Sequence, residues 1–266
     1  MITHTPDQQA IYYQTMGTGP ELLLVHGGLP AYFEALVEGL SPHYRCIAFD
    51  RLGFRKSARL DRNTTVEEQV RAIAAVHRSV TTAPAWVFGH SSGGNFALAY
   101  ALFHPDRVKG LLLVEPALYA IYPPEQTPSA VERMQNVAMH LFQQGQVEQG
   151  WQAFIAAVFP SLSWPPLSEE DLDMVRSFGY DQPVVITWCP SPAELQQLTL
   201  PVLILEGDQS PFLLRDICQR LQRQLHNAQL VTLAGQDHGL PFAAPKLVAE
   251  QLVAFMSEGE ENSGAY

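Results

Sequence analysis

The residues best suited to do chemistry in this chain stand in Gly89-His90-Ser91-Ser92-Gly93, after the apolar run Ala85-Trp86-Val87-Phe88 and just before the helix-competent run from Phe96 to Phe103. This pattern predicts strand, sharp turn and helix, with Ser91 at the apex and Gly89 and Gly93 where strand and helix pass closest. A serine hydroxyl is a weak nucleophile at neutral pH. It attacks a carbonyl only with a base within hydrogen-bond reach, itself oriented by a carboxylate. A residue at such a turn also sits at a helix N-terminus, where backbone N–H groups and the positive end of the helix dipole face whatever Ser91 attacks.

Four landmarks in order extend this pattern over almost the whole chain. They are Leu23-Leu24-Val25-His26-Gly27-Gly28, Asp50-Arg51-Leu52-Gly53, the serine turn itself, and Gly235-Gln236-Asp237-His238. Together they resemble the α/β-hydrolase family. The resemblance implies a mostly parallel sheet with helices on both faces. It also implies that Ser91 is the nucleophile, His238 the base, and the backbone N–H groups of Gly28 and Ser92 the oxyanion hole. In the commonest family pattern the acid stands where this chain has Ser210, and Asp208 lies two residues early. Other members place the acid after the strand that follows the serine helix, which is Glu115 here. Glu115 is therefore the favoured acid and Asp208 the alternative. His26 reads as structural, and so do Asp50 and Arg51, although Leu52 and Arg55 stand where the family often has glycine.

The elements that must position these residues follow from periodicity. Buried-strand runs occur at Leu22–Val25, Tyr44–Phe49, Val108–Val114 and Pro201–Glu206, with a strand near Gln229–Leu233 and an opening strand at Ala10–Gln14. Helices are predicted at about 31–40, at 66–80 with a Thr65/Glu68 capping box, near 213–225 and over about 245–256. Alternation of this kind predicts a parallel sheet covered on both faces. Between residues 117 and 198 strand signals stop, and helices are expected at 129–144, 147–159 and 168–177, an inserted helical cap. The expected organisation is a core of residues 1–116 and 199–257, a cap of 117–198, and a disordered acidic tail of 258–266. The cap is rich in aromatics, including Tyr119, Tyr122, Phe142, Trp151, Phe154, Phe159, Trp164, Phe178, Tyr180 and Trp188. They either line an apolar substrate pocket or form the cap's own core.

Composition narrows the function classes. The chain has 266 residues, 47% of them hydrophobic, and a net charge of -11. That charge argues against nucleic acid and against an anionic membrane surface. Three cysteines, Cys46, Cys189 and Cys218, are too few and too scattered for a disulfide framework or a zinc site, and they suit a reducing, cytoplasmic setting. No secretory leader or spanning segment is read from the sequence, and no metal or organic cofactor is implied. The expected activity is cleavage of a small, largely apolar carboxylic ester, lactone or thioester through an acyl-enzyme. A carbon–carbon bond hydrolase and a small-molecule receptor of the same fold are the alternatives. A serine in place of an aspartate nucleophile disfavours dehalogenase and epoxide-hydrolase chemistry.

Overall fold

In a computed structural model, residues 1–28, 33–158 and 167–263 are described. The start of the helix expected from Ala31, and Phe159 and Trp164, lie outside them. Eight strands form one sheet in the order β1-β2-β4-β3-β5-β6-β7-β8. The strands are β1 (Ile2–His4), β2 (Ala10–Met16), β3 (Glu21–Val25), β4 (Arg45–Phe49), β5 (Ala85–His90), β6 (Val108–Val114), β7 (Val202–Gly207) and β8 (Ala228–Leu233). β1 and β2 pair antiparallel to each other, β2 pairs antiparallel with β4, and all other pairs are parallel.

Alternate residues of the central strands divide between two apolar clusters, as the two-residue repeat of a strand requires. Leu23, Val25, Val87, Leu111, Leu113 and Ile204 pack on one side. Helices α2 (Val66–Val80), α3 (Ser92–Phe103) and α9 (Phe212–Gln224) cover that face. Leu22, Leu24, Trp86, Phe88, Leu112 and Leu205 pack on the other, under α1 (Glu34–Leu40) and α11 (Pro245–Ser263). Strand runs that are apolar without alternation follow from this two-sided cover. The Thr65/Glu68 capping box at the start of α2 forms as expected.

Helices α4 (Ser129–Arg133), α5 (Met139–Gln143), α6 (Val147–Val158), α7 (Glu169–Thr187) and α8 (Pro192–Gln197) intervene between β6 and β7, with a π-helical segment at Met134–Ala138 joining α4 to α5. Their aromatic residues do not make a separate core: Trp151, Phe154 and Phe178 belong to the same apolar cluster as Val87 and Phe96 of the sheet face. α7 runs ten residues past the expected Ser177, through Gly179 and Pro183. Propensity alone would stop it there. Gly179 admits the Phe142 ring, since a Cβ would stand 2.7 Å from it, and the bond of Thr64 N to Tyr180 O with the ion pair of Arg51 and Asp181 holds the helix beyond. β1, α8 and α10 (Leu240–Ala243) are further elements that periodicity did not show.

The expected disordered tail is a correction. α11 continues to Ser263, because Trp86 Nε1 donates to Glu260 at 3.3 Å and Lys109 approaches the same carboxylate at 3.9 Å. Residues 264–266 lie outside the described ones.

Candidate active site

The chain leaves β3 toward β4 on one side and returns to β5 on the other, so the direction of strand order reverses between β3 and β5. Crevices at such switch points, beyond the carboxyl ends of parallel strands, are where α/β sheets collect ligands. His26-Gly27-Gly28 follows β3 and Ser91 follows β5.

Ser91 has φ 54° and ψ -127°, a conformation that L side chains rarely adopt. Strain of this kind persists only where the surroundings over-determine it. Here the Ser91 N–H donates to Val114 O at 3.0 Å, and Ser91 O accepts from Gly94 and Ala117 at 2.9 and 3.2 Å. Gly93 must be glycine, since a Cβ would collide with the carbonyl oxygens of Val25 and His26. Ser92 begins α3 and is buried, with its N–H among the unbonded donors of the helix N-terminus.

Glu115 stands one residue past β6, next to the end of β5, and also has a left-handed backbone, φ 42°. Its side chain is fully buried. Oε1 accepts from Gly207 N at 2.8 Å, and Oε2 accepts from His238 Nδ1 at 2.6 Å. Burial raises the Glu115 carboxyl, but the hydrogen bond and charge of His238, with the nearby Ser210 hydroxyl and the Gly207 N–H, outweigh it and leave it below the ordinary carboxylate value. A carboxylate on Nδ1 fixes the proton there and makes Nε2 the acceptor nitrogen of the ring.

Two further contacts hold the His238 loop. His90 Nε2 donates to the His238 carbonyl at 3.0 Å, with the two rings 4.7 Å apart, and Asp237 accepts from Gly239 N at 2.8 Å. Burial, then the nearby His238, pushes His90 well below the usual histidine range, so it is neutral. Asp208, the alternative acid, is not on the histidine. Its Oδ1 accepts from Gly235 N at 2.7 Å and from the Gln209 side chain at 3.0 Å.

The glycine turn after β3 rests on a buried cluster that motif reading found only in part. His26 Nε2 accepts from Arg51 N at 3.0 Å, which leaves Nδ1 to donate to Gly27 O at 2.7 Å. Burial, then the Arg51 charge, keeps His26 far below the ordinary histidine value. Arg51, fully buried, stacks over Phe54 and Phe96 at 4.5 and 4.8 Å. It pairs with Asp181 of α7 at 2.6 Å. Burial raises the Asp181 carboxyl above its ordinary value, and the Arg51 charge offsets this only in part. Asp181 was the site neighbour that sequence reasoning missed, whereas Phe178 stood among the cap aromatics read as pocket lining or cap core. One signal was present: Asp181 is a lone acid between the apolar runs of α7. Phe178 lies over the turn, since a Cβ on Gly28 would collide with its ring, and it packs edge-on to Trp151 at 5.1 Å and Phe154 at 4.7 Å.

Among the described residues, no three His, Cys, Asp or Glu side chains come together as metal ligands, and no helix is long and apolar enough to cross a membrane.

The sheet order and the serine turn define an α/β hydrolase, and the chain belongs to the alpha/beta hydrolase family, which it matches over residues 22–251. It is 24% identical over 259 residues to 2-(acetamidomethylene)succinate hydrolase of Mesorhizobium japonicum, covering 90% of this chain and 89% of that one. Among solved structures, an alpha/beta hydrolase from Sphaerobacter thermophilus superposes with a TM-score of 0.76 at 26% identity, over 96% of this chain and 100% of that chain. A thermophilic esterase from Thermogutta terrifontis gives 0.76 at 22%, over 97% and 98%, a likeness of fold.

Proposed function

We propose that this protein is a serine hydrolase that cleaves a small, largely apolar carboxylic ester, with Ser91 as nucleophile, His238 as base and Glu115 as the acid. The observation that carries the reading is the 2.6 Å bond from His238 Nδ1 to a buried carboxylate at the end of the strand beside the strained Ser91 turn. Ser91 Oγ attacks the ester carbonyl while its proton passes to His238 Nε2, and the backbone N–H groups of Gly28 and Ser92 hold the negative oxygen. The tetrahedral species collapses, the C–O bond to the alcohol breaks, and the departing oxygen takes the proton from His238. Water then gives a proton to His238 and attacks the acyl carbon. The acid leaves and Ser91 regains its proton. Glu115 stays ionised throughout and stabilises the imidazolium. The helices between β6 and β7 act as the cap, with Phe178 and Trp151 as its apolar roof. The reading includes a reducing, cytoplasmic setting, supported by three unpaired cysteines.

Exposure to a fluorophosphonate, followed by intact mass and peptide mapping, tests this reading. One adduct is expected on Ser91, absent in Ser91→Ala, slowed in Glu115→Gln and retained in Asp208→Asn. Failure of the unmodified protein to form the Ser91 adduct overturns the reading and moves a receptor role ahead of it.

A further inference from the structure

A trans peptide unit is planar, and its C=O and N–H point in opposite directions. The N–H of Gly28 and the C=O of Gly27 belong to one such unit. Whatever fixes the Gly27 oxygen therefore aims the Gly28 N–H. Two donors converge on that oxygen: His26 Nδ1 at 2.7 Å and Arg51 Nη2 at 3.1 Å. Arg51 Nε adds a bond to the His26 carbonyl at 2.9 Å, so the guanidinium grips two consecutive carbonyls of the turn. Its planar fork holds that pose only while its own position is fixed.

What fixes it lies on the inserted helix. Arg51 Nη2 meets Asp181 Oδ2 at 2.6 Å, and both side chains are buried, at 0% and 2% exposure. Gln69 Nε2 reaches the other Asp181 oxygen at 3.3 Å while also donating to Leu52 O at 3.0 Å. Two bonds beside this pair register α7 against the core: Ser177 Oγ to Gly53 O at 2.8 Å, and Thr64 N to Tyr180 O at 3.1 Å. The same helix carries Phe178 over Gly28.

We infer that Asp181, although it belongs to the inserted helices and lies outside the catalytic groups, is a positioning residue for the oxyanion donor: through Arg51 it clamps the Gly27 carbonyl and so aims the Gly28 N–H. This rests on the hydrolase reading above. It makes α7 a fixed part of the site, so that seating this helix and completing the oxyanion hole are one event.

The test uses the full chain with p-nitrophenyl acetate and the matching thionoester, whose sulfur is a poor hydrogen-bond acceptor. Asp181→Asn leaves the side chain's shape and removes its charge. Its kcat is expected to fall about tenfold or more, with KM within about threefold and an unaltered pH profile. The preference for oxygen over sulfur should shrink in parallel, because a misaimed donor no longer favours the better acceptor. Gln69→Leu keeps the ion pair and loses one bond to Asp181, so a smaller shift of the same kind is expected; it also serves if Asp181→Asn does not fold. Variants that lose thermal stability but keep the wild-type kcat and oxygen-to-sulfur ratio overturn the inference and leave the hydrolase reading standing. An unmodified protein that neither turns over the ester nor labels on Ser91 overturns both.

Discussion

β6 and β7 lie side by side in parallel register, and each is followed at once by a carboxylate, Glu115 after Val114 and Asp208 after Gly207. Their backbone N–H groups even make equivalent bonds to the next strand, Glu115 to Leu205 O and Asp208 to Leu233 O, both at 3.1 Å. The side chains nevertheless go to different places. Glu115 takes the left-handed conformation, which Asp208 does not, and its side chain turns beneath the strand ends onto His238. Asp208, half-buried, reaches along the surface to Gly235. Residue type and distance from the strand end are thus the same in kind for both. The backbone dihedral separates a carboxylate that can orient an imidazole from one that staples a turn.

The two carboxylates should differ most in their effect on activity. Glu115→Gln presents an amide to His238 Nδ1 and favours the wrong tautomer, so kcat/KM toward p-nitrophenyl acetate should fall roughly a thousandfold to ten-thousandfold. Asp208→Asn should stay within about threefold of the original in the same assay, because it touches no reacting group. A reversal of these two magnitudes would return the acid to Asp208.

A second substitution sharpens the point that direction matters more than position along the chain. The Ser210 hydroxyl, buried, helps to hold the Glu115 carboxyl down. An aspartate there would enter the same space from β7. Ser210→Asp placed in Glu115→Gln should recover about tenfold or more of the lost kcat/KM, since a triad is a geometry and tolerates a new donor strand. No recovery, with the double variant folded by circular dichroism, would show that only the β6 approach reaches the imidazole.

The sheet and the serine turn were legible because local signals agreed with global ones: two-sided apolar strands, glycines where Cβ atoms would collide, and the Thr65/Glu68 capping box each point to one arrangement. The acid stayed open between Glu115 and Asp208, because a non-glycine residue at φ 42° leaves no mark in the sequence. Among the helices between β6 and β7, α7 was read too short for a related reason. Gly179 and Pro183 weigh against a helix locally, and only the fit of Phe142 against Gly179 and the buried bond of Asp181 to Arg51 reverse that. Nor does the sequence announce that Glu260 will dock on Trp86 and extend α11.

Acid titration separates the carboxylates by stability. The Glu115 carboxyl lies below its ordinary value of 4.5 in the folded protein. Its ionised form therefore adds stability that is present in full above about pH 4.5 and is lost as pH falls through the folded value, because the unfolded chain binds the proton first. Urea unfolding followed from pH 7 downward should show wild-type stability declining more steeply below about pH 4.5 than that of Glu115→Gln. Parallel curves would mean that the His238 bond does not hold the proton off.

The smallest effect belongs to Asp208, and it should appear in stability. Its carboxylate accepts the N–H of Gly235, whose φ of 71° only glycine adopts freely, at the turn that starts the His238 loop. Asn at 208 keeps an acceptor oxygen but gives up the charge, and a charge-assisted bond is worth roughly 1.5–3 kcal/mol against 0.5–1.5 for a neutral one. Asp208→Asn should therefore lower the unfolding free energy by about 1 kcal/mol, read from the urea midpoint at pH 7 with an unchanged slope. Asp208→Ala, which removes the acceptor, should lose more and begin to raise KM, since a loosened Gly235 turn lets the His238 loop wander. If Asp208→Ala instead abolished kcat at full stability, the turn would be steering the imidazole as strongly as Glu115 does, and the contrast between the two strand ends would collapse.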